Sequence, residues 1–297
     1  MSELTQDQQT IVALQLQLSA LSERLVESEQ PRTLFISNML NEINNPLTTI
    51  LGLSQPTLTV KNVDLEQINQ KFSWVNEEAK FLEFQLRNVF AAAELESGSL
   101  KAEPSMVDVH ELWAKVCTPY VNVLQRKRLR VSTNGDGLLP SHYNEKVILA
   151  SDSRLLSLAF INLFDNAIKV APEGSLIEVD FWLDDTGLNL RVTDAGMGIS
   201  QEDQVKIFDR FRQLDSSTTK KILGMGLGLS LVMAVTDMLS GQCSVKSTVG
   251  EGASFTVHIN SLEGSDIEQE DYADNLMFFG DEEYDSQDED EDGEERF

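Results

Sequence analysis

The sequence predicts an α+β protein in which a helical hairpin precedes an α/β sandwich. In the N-terminal third, apolar residues recur at alternating steps of three and four, which is typical of helices that pack along a seam. In the second half, strand-like segments are followed by glycine-rich turns, which favours helices on one face of a mixed sheet. Two long amphipathic helices bury little surface alone, so we expect two copies to form a dimeric four-helix bundle.

The N-terminal part divides at Pro31, because proline breaks or restarts a helix. Residues 1–31 are predicted to form a coiled-coil stalk, and residues 32–104 a dimerisation hairpin with helices at 33–53 and 65–96. The stalk seam consists of Ile11, Leu14, Leu18, Leu21 and Leu25. The seam of the second hairpin helix consists of Ile68, Phe72, Val75, Ala79, Leu82, Leu86 and Val89. A monomeric hairpin packed on the second domain is the alternative arrangement.

Residues 105–262 are predicted to form the second domain, after a linker that contains Pro104 and extends to about residue 107. Gly250-Glu251-Gly252 separates the last two strands of this domain, so these strands are expected to form a hairpin. The predicted elements are helices at 109–126, 159–169 and 230–239, and strands at 129–132, 177–182, 188–193, 242–247 and 253–259.

The chain of 297 residues has a formal net charge of −26, which argues against direct binding to nucleic acid. Much of this charge lies in residues 263–297, which carry 17 acidic residues and one arginine. Such a segment cannot bury enough apolar surface to fold alone, so we predict a disordered acidic tail. The apolar cluster at 275–280 within it is either an intramolecular contact or a short docking motif for a partner.

The sequence has no feature of a membrane-spanning or exported protein. It contains no run of about 18 apolar residues, and residues 1–9 are too polar for a signal peptide. We therefore expect a cytoplasmic protein without a membrane span. Cys117 and Cys243 lack the spacing of a metal site, so we expect reduced thiols in the core.

Three motifs in the second domain follow one another at intervals of about thirty residues. The first is a predicted helix in which Asn162, Asn166 and Lys169 fall on one face. An amide-rich stripe in an apolar setting needs partners for its amides. The second motif is the turn DAGMGI at 194–199, and the third is the turn GMGLGL at 224–229, which opens an apolar helix.

These motifs resemble the nucleotide-binding boxes of the histidine kinase, gyrase and Hsp90 ATPase superfamily. The segment FDRF at 208–211, between the two glycine turns, resembles the F box of that superfamily. The resemblance extends over roughly residues 32–260 and is closest to the sensor histidine kinases of two-component signalling. It implies an α/β-sandwich ATP-binding domain with ATP and Mg²⁺ as cofactors.

The resemblance assigns a role to each polar residue of the first two motifs. Asn166 is expected to bind Mg²⁺ through its carbonyl oxygen, because Mg²⁺ prefers oxygen ligands. Asn162 is expected to lie near the same phosphates, and Lys169 to reach the nucleotide as a point charge. Asp194 is expected to accept a hydrogen bond from the exocyclic amino group of adenine.

The glycines of the two turns are expected to surround the nucleotide. Gly196 and Gly198 lack a Cβ, so the backbone can approach the base and the sugar closely. Gly224 opens the last motif, and Gly226 and Gly228 offer backbone N–H groups to phosphate oxygens near a helix start.

Residues 212–223 are expected to form a mobile lid over the nucleotide. Lys220 and Lys221 lie in this segment and either neutralise phosphate charge when the lid closes or remain solvated. Leu223 stands where the family usually has a glycine, a departure that predicts a stiffer lid.

The segment FISNMLNEINNPL at 35–47 resembles the dimerisation-helix signature of the family, with one departure. Asn41 stands at the position of the phosphoacceptor histidine, and an amide nitrogen is not a nucleophile at neutral pH. By resemblance, Glu42 is the residue that would take a proton from that histidine. Asn45 matches an amide or hydroxyl that the family associates with dephosphorylation of the response regulator; alternatively, it is a surface residue beside a kink at Pro46. The histidines of the chain all lie outside this segment: His110, His142 and His258.

Three functions are compatible with these features. The first is a histidine kinase relative that retains ATP binding and response-regulator phosphatase activity, and the second is a pseudokinase scaffold whose ATP-bound state controls partner docking. The third is a Ser/Thr kinase of the same superfamily. An active histidine kinase with Asn41 as an engineered or variant substitution is a further alternative. We favour a dimeric signalling protein that binds Mg-ATP and has a response-regulator receiver domain or another histidine kinase as its partner.

Overall fold

The computed structural model describes residues 36–54, 65–134, 147–210 and 225–261. The predicted stalk, the predicted lid and the acidic tail lie outside the described residues.

Two long helices form the N-terminal part of the described chain. Helix α1 covers residues 36–54, and helix α2 spans Leu65–Ser97. The predicted end of α2 agrees with the structure, because Gly98 adopts a φ of +67° that glycine accommodates without strain. The N–H of Gly98 donates to the carbonyl oxygen of Leu95 over 3.3 Å and closes the last turn.

A five-stranded sheet forms one layer of the second domain, in the order β2-β4-β5-β7-β6. Strands β2 and β4 are parallel, and every other neighbouring pair is antiparallel. The strands of this sheet are β2 (Arg130–Thr133), β4 (Leu176–Leu183), β5 (Gly187–Asp194), β6 (Gln242–Thr248) and β7 (Gly252–Asn260). The hairpin predicted around residues 250–252 is thus formed by β6 and β7.

Two strands were not expected from the sequence. Strands β1 (Ser105–Asp108) and β3 (Ile148–Ser151) pair antiparallel as a separate ribbon, where a linker and an unassigned segment were predicted. Each strand leads directly into a helix whose N-terminus is capped by an aspartate. The carboxylate of Asp152 accepts from the backbone N–H of Arg154 over 2.8 Å, and that of Asp108 accepts from the N–H of His110 over 3.0 Å.

The helices of the second domain form the other layer. They are α3 (Val109–Cys117), α4 (Val121–Arg126), α5 (Ser153–Val170), α6 (Gln201–Gln204) and α7 (Gly228–Met238). The prediction of one helix over 109–126 was wrong, because a 3₁₀ turn at Thr118–Tyr120 separates α3 from α4. Pro119 explains this break, since proline has no N–H for the helical ladder and its ring clashes with the preceding turn.

The core lies between α5 and the sheet. Alternate residues of β4 and β7 are buried, so these strands turn one face toward the helices, whereas most of the central strand β5 is buried. Phe164 of α5 is fully buried and packs edge-on against Trp113, with ring centroids 4.9 Å apart. The sandwich predicted from the sequence is therefore confirmed for this domain.

Two expectations from composition can be compared with the described residues. None of the helices in those ranges is both long enough and apolar enough to cross a membrane. Cys117 is buried and Cys243 is half-buried, both are free thiols, and burial raises the pKa of each to about 12. They are the core thiols that the sequence predicts.

Candidate functional site

A cavity of about 180 Å³ opens where α2 meets α5, the end of β5 and the start of α7. Both polar and apolar residues line it. Its polar lining comes from Gln85, Asn88, Asn162, Asp165, Asn166, Lys169 and Asp194. The structure thus brings together the predicted amide stripe, the predicted aspartate and the start of the last glycine turn.

The two asparagines of α5 differ in their surroundings. Asn162 is buried, and its Nδ2 donates to the carbonyl oxygen of Leu158 over 2.8 Å. Its amide also exchanges two hydrogen bonds of 3.0 Å with the amide of Asn88 on α2. Asn166 is half-buried on the cavity wall, and its side chain makes no hydrogen bond to any described residue. Asn166 is therefore available to a ligand, whereas Asn162 is occupied.

Lys169 lies on the cavity wall but is already paired. Its Nζ is 2.8 Å from Oδ2 of Asp165 and 5.6 Å from the ring centroid of Phe81. Burial alone would lower the pKa of Lys169, but the charges of Asp165 and Glu42 raise it above its usual value. The lysine is therefore a half-buried cation that pairs with Asp165 of α5 and is stabilised by the charge of Glu42 on α1.

Glu42 of α1 points toward this lysine. Only 5% of the residue is exposed, and burial raises the pKa of its carboxyl, partly opposed by the charge of Lys169. Asn41 and Asn45 are exposed and lie four residues apart on another face of α1. Of the three residues that the sequence grouped around the phosphoacceptor position, Glu42 lies on a buried face of α1, and Asn41 and Asn45 lie on an exposed face.

Asp194 ends β5, also lines the cavity and is 4% exposed. Its Oδ1 accepts a hydrogen bond of 2.8 Å from the backbone N–H of Gly196. Burial raises the pKa of this carboxyl, and hydrogen bonds from the backbone N–H groups of Gly196 and Ala253 partly offset that effect. A buried, oriented carboxylate of this kind can accept a hydrogen bond from an amino group of a ligand.

The glycines near Asp194 have packing roles that differ from the predicted ones. A Cβ on Gly196 would lie 2.7 Å from Oδ1 of Asp194, so this glycine makes room for the carboxylate and is not part of the cavity wall. Gly198 lines the cavity with a φ of +71°, and a Cβ there would collide with the backbone oxygen of Thr248. Of these two glycines only Gly198 lies on the cavity wall, and the approach of its backbone to a ligand stays a prediction.

The last glycine turn meets the asparagine stripe. Gly226 lines the cavity with a φ of +71°, and Gly228 is the first residue of α7. A Cβ on Gly228 would lie 2.9 Å from Oδ1 of Asn162. The glycine therefore allows the start of α7 to pack closely against α5. Gly224, Lys220 and Lys221 lie outside the described residues.

The F-box segment contacts both the sheet and α2. The ring of Phe208 packs edge-on against that of Phe255 with centroids 6.5 Å apart. Nη1 of Arg210 lies 3.9 Å from Oε1 of Glu96, near the end of α2. Helix α2 therefore touches the second domain at the F box as well as at Asn162.

Two residues of this site were missed by sequence reasoning. Gln85 and Asn88 were assigned to a bundle helix because they lie beside the apolar seam of α2. Two buried amides three residues apart on a bundle helix are a detectable signal, since buried amides need partners. Asp165 was also missed, although its position four residues before Lys169 is typical of a helical ion pair.

Comparison with known proteins agrees with this fold. Residues 151–263 match the family described as histidine kinase-, DNA gyrase B-, and HSP90-like ATPase. The autoinducer 2 sensor kinase/phosphatase LuxQ of Vibrio cholerae is 29% identical over 258 residues, which cover 86% of this chain and 29% of LuxQ. The sensor histidine kinase YcbM of Bacillus subtilis is 26% identical over 243 residues, which cover 82% of this chain and 76% of YcbM.

A solved structure has the same fold. Full-length ShkA in complex with AMPPNP matches with a TM-score of 0.50 and 22% identity, over 79% of this chain and 46% of ShkA. The fold and the site together define a histidine kinase-type ATPase domain preceded by helices. Residues 151–263 thus match the histidine kinase-type ATPase family, and most of the chain is similar to sensor histidine kinases. The chain spans only part of the length of several curated relatives: 29% of LuxQ, 16% of the hybrid signal transduction histidine kinase D of Dictyostelium discoideum and 29% of the circadian input-output histidine kinase CikA of Synechococcus elongatus.

Proposed function

We propose that this protein is a dimeric, histidine-kinase-like signalling protein that binds Mg-ATP but does not phosphorylate itself at position 41. The observation that carries the proposal is Asn41, exposed on α1 where the family has histidine, in a chain whose nucleotide cavity is assembled. The relatives supply the two-component setting, and a response-regulator receiver domain or another histidine kinase is the expected partner.

The polar groups of the cavity are suited to an adenine nucleotide. The Asp194 carboxylate is buried and is held by a hydrogen bond from the backbone N–H of Gly196, which suits it to accept from the amino group of adenine. Asn166 supplies an amide oxygen without a partner in the described part of the chain, which suits a hard cation with oxygen ligands. Mg²⁺, when bound there, neutralises phosphate charge; the chain's own contribution is to orient the base through Asp194 and to offer Asn166.

Asn41 cannot take the place of the phosphoacceptor. The lone pair of its amide nitrogen is delocalised into the carbonyl, so it does not attack a phosphoryl group. Glu42, which would receive a proton from a histidine, is buried toward Lys169 instead. His110 is a poor substitute, because it is buried with its ring centroid 5.0 Å from that of Phe181.

The remaining chemistry of α1 is compatible with phosphatase activity toward a receiver domain. Asn45 is exposed one turn after Asn41, so its amide can orient a water for attack on an aspartyl phosphate of a docked partner. The name of LuxQ includes phosphatase as well as kinase. This activity needs no nucleophile at position 41.

The dimer is supported by apolar residues that the described chain leaves exposed. Leu40, Leu47 and Leu51 of α1 recur at helical spacing and are exposed, as are Phe72 and Leu86 of the predicted α2 seam. A stripe of this kind on adjacent helices is typical of a bundle interface.

Labelling with radioactive ATP tests the proposal. The unmodified protein is expected to acquire no acid-labile phosphate, and Asn41→His is expected to label if the rest of the machinery is competent. Added phosphorylated receiver domain is expected to lose phosphate faster with the unmodified protein than with Asn45→Ala. Acid-labile labelling of the unmodified protein would contradict the argument from Asn41 and favour an active kinase that uses another acceptor.

A second candidate function is a pseudokinase scaffold whose ATP-bound state controls partner docking. The direct contact between Asn88 of α2 and Asn162 of the nucleotide cavity favours it, because the helical hairpin can then respond to the nucleotide. An unchanged dephosphorylation rate together with intact ATP binding would favour this scaffold.

A further inference from the structure

Helix α2 forms part of the cavity wall and binds Asn162, the residue that the resemblance puts near the phosphates. Phe84, Gln85 and Asn88 of α2 line the cavity together with Asn162. The amides of Asn88 and Asn162 donate to each other over 3.0 Å in both directions, and both residues are buried. With the further bond from Asn162 to Leu158, both amide atoms of Asn162 are engaged within the protein.

The space that remains is small for a nucleotide. The cavity measures about 180 Å³, whereas sites for small ligands are typically about 300–1,000 Å³. Since α2 provides the part of the wall beside Asn162, moving α2 outward adds space for phosphates next to that residue and releases its amide in one step.

The docked position of α2 also contains an unsatisfied polar group. Gln85 is 2% exposed, and its Nε2 has no hydrogen-bond partner among the described residues. It lies one helical turn from Asn88, on the same side of α2. The unpaired buried amide of Gln85 opposes docking of α2, whereas the Asn88–Asn162 pair favours it. These opposed contributions reduce the free-energy difference between the docked and the released helix.

We propose that Asn88 of α2 competes with the nucleotide phosphates for Asn162, so that ATP binding and docking of α2 exclude each other. The proposal rests on ATP binding at this cavity and specifies how that binding reaches the helical hairpin. ATP that engages Asn162 breaks the amide pair and releases α2. Adenosine, which has the base and the ribose but no phosphate, leaves the pair intact.

Calorimetric titration of the full chain with Mg-ATP and with adenosine tests the competition. Asn88→Ala removes the competing amide, so ATP should bind about tenfold more tightly, the effect of one to two net hydrogen bonds. Gln85→Met removes the unpaired amide at similar volume, so it should favour docking and weaken ATP binding severalfold. Adenosine affinity should stay the same in both variants. Asn76→Ala, an exposed asparagine on the same helix, is the matched control and should change neither affinity.

The outcomes separate this proposal from nucleotide binding itself. ATP binding by the wild type that is unchanged in Asn88→Ala overturns the competition and leaves the proposed nucleotide site intact. An equal gain for ATP and adenosine also overturns it, because the effect would then not involve phosphates. Absence of ATP binding in wild type and variants overturns both proposals.

Hydrogen exchange of the unmodified protein gives a test that needs no variant. ATP should increase amide exchange at residues 84–92 of α2, and adenosine should not. Equal exchange with the two ligands, at saturation of both, contradicts the release of α2 by phosphate.

Discussion

Lys169 Nζ lies 2.8 Å from Oδ2 of Asp165, one turn earlier on the same helix. The lysine that the sequence assigns to the nucleotide is therefore already neutralised by the protein. The hydroxyl of Tyr120 donates to Oδ1 of the same carboxylate over 3.3 Å. Asp165 thus contacts Tyr120 of the 3₁₀ turn and Lys169 of its own helix. The charge of Glu42 on α1 acts on the same lysine.

Asp165→Asn should lower stability, because it removes the principal counter-charge of a largely buried lysine. We expect the free energy of unfolding to fall by about 1–3 kcal/mol, less than for a fully buried pair since both side chains retain some exposure. Chemical unfolding of the nucleotide-free protein at neutral pH measures this change.

Asp180→Asn is the matched control. Asp180 pairs with Arg191 over 2.6 Å, but the pair lies on the exposed face of the sheet, and loss of such a pair should cost about 0–1 kcal/mol. Equal losses in the two variants would show that Lys169 does not depend on Asp165. A weaker ATP affinity in Asp165→Asn would be unexpected too, because the substitution leaves the cationic lysine on the cavity wall.

The parts of this fold that the sequence predicts are those with local signals. The asparagine stripe of α5 and the two glycine turns are recognisable because helical spacing and short glycine patterns are read within ten residues. Strands β1 and β3 were missed because each has four residues and pairs with a partner more than forty residues away, so no local pattern marks them.

The contact of α2 with the cavity could not be predicted in the same way. The alternation of apolar residues around Leu82, Leu86 and Val89 indicates which face of α2 packs along a seam. It does not indicate what lies against the neighbouring stripe that carries Gln85 and Asn88. That depends on how the hairpin sits against α5, which is a tertiary property.

Asp194→Asn should weaken ATP binding severely. The substitution replaces a buried charged acceptor by an amide that can present a donor to the amino group of adenine. We expect a loss of affinity of at least about tenfold, the effect of one hydrogen bond to a charged group. Calorimetry with ATP measures it, and equal affinities would remove Asp194 from the site. Asp184→Asn, on the exposed turn between β4 and β5, is a control that should leave the affinity unchanged.

ATP affinity should fall as the solution is acidified, beginning at a higher pH than for an ordinary aspartate. Burial raises the pKa of Asp194, and only the ionised carboxylate accepts the hydrogen bond without a competing proton. The stability of the fold should change with pH in the opposite direction from the ATP affinity. A raised pKa adds stability at low pH that is lost as the pH rises from the unfolded value through the folded one.

The comparison with Asp194→Asn isolates this effect, because the variant cannot titrate at that position. We expect the difference in unfolding free energy between the wild type and the variant to decline as the pH rises above about 4, the ordinary range of an aspartate pKa. Glu42 also has a raised pKa and contributes to both proteins equally. A flat difference over this range would mean that burial does not perturb Asp194.

The exposed apolar residues of α1 and α2 predict that the isolated chain of 33.2 kDa forms a dimer in solution. Phe72 lies on the predicted seam of α2 and is 64% exposed, so Phe72→Glu should place a charge in the centre of the bundle and give the monomer mass. Val205 is 80% exposed on the ATPase domain, and Val205→Glu should leave the dimer intact. Light scattering at micromolar concentration distinguishes the two masses. A wild type with the monomer mass, or a Phe72→Glu protein that remains dimeric, would show that two copies do not meet through this seam.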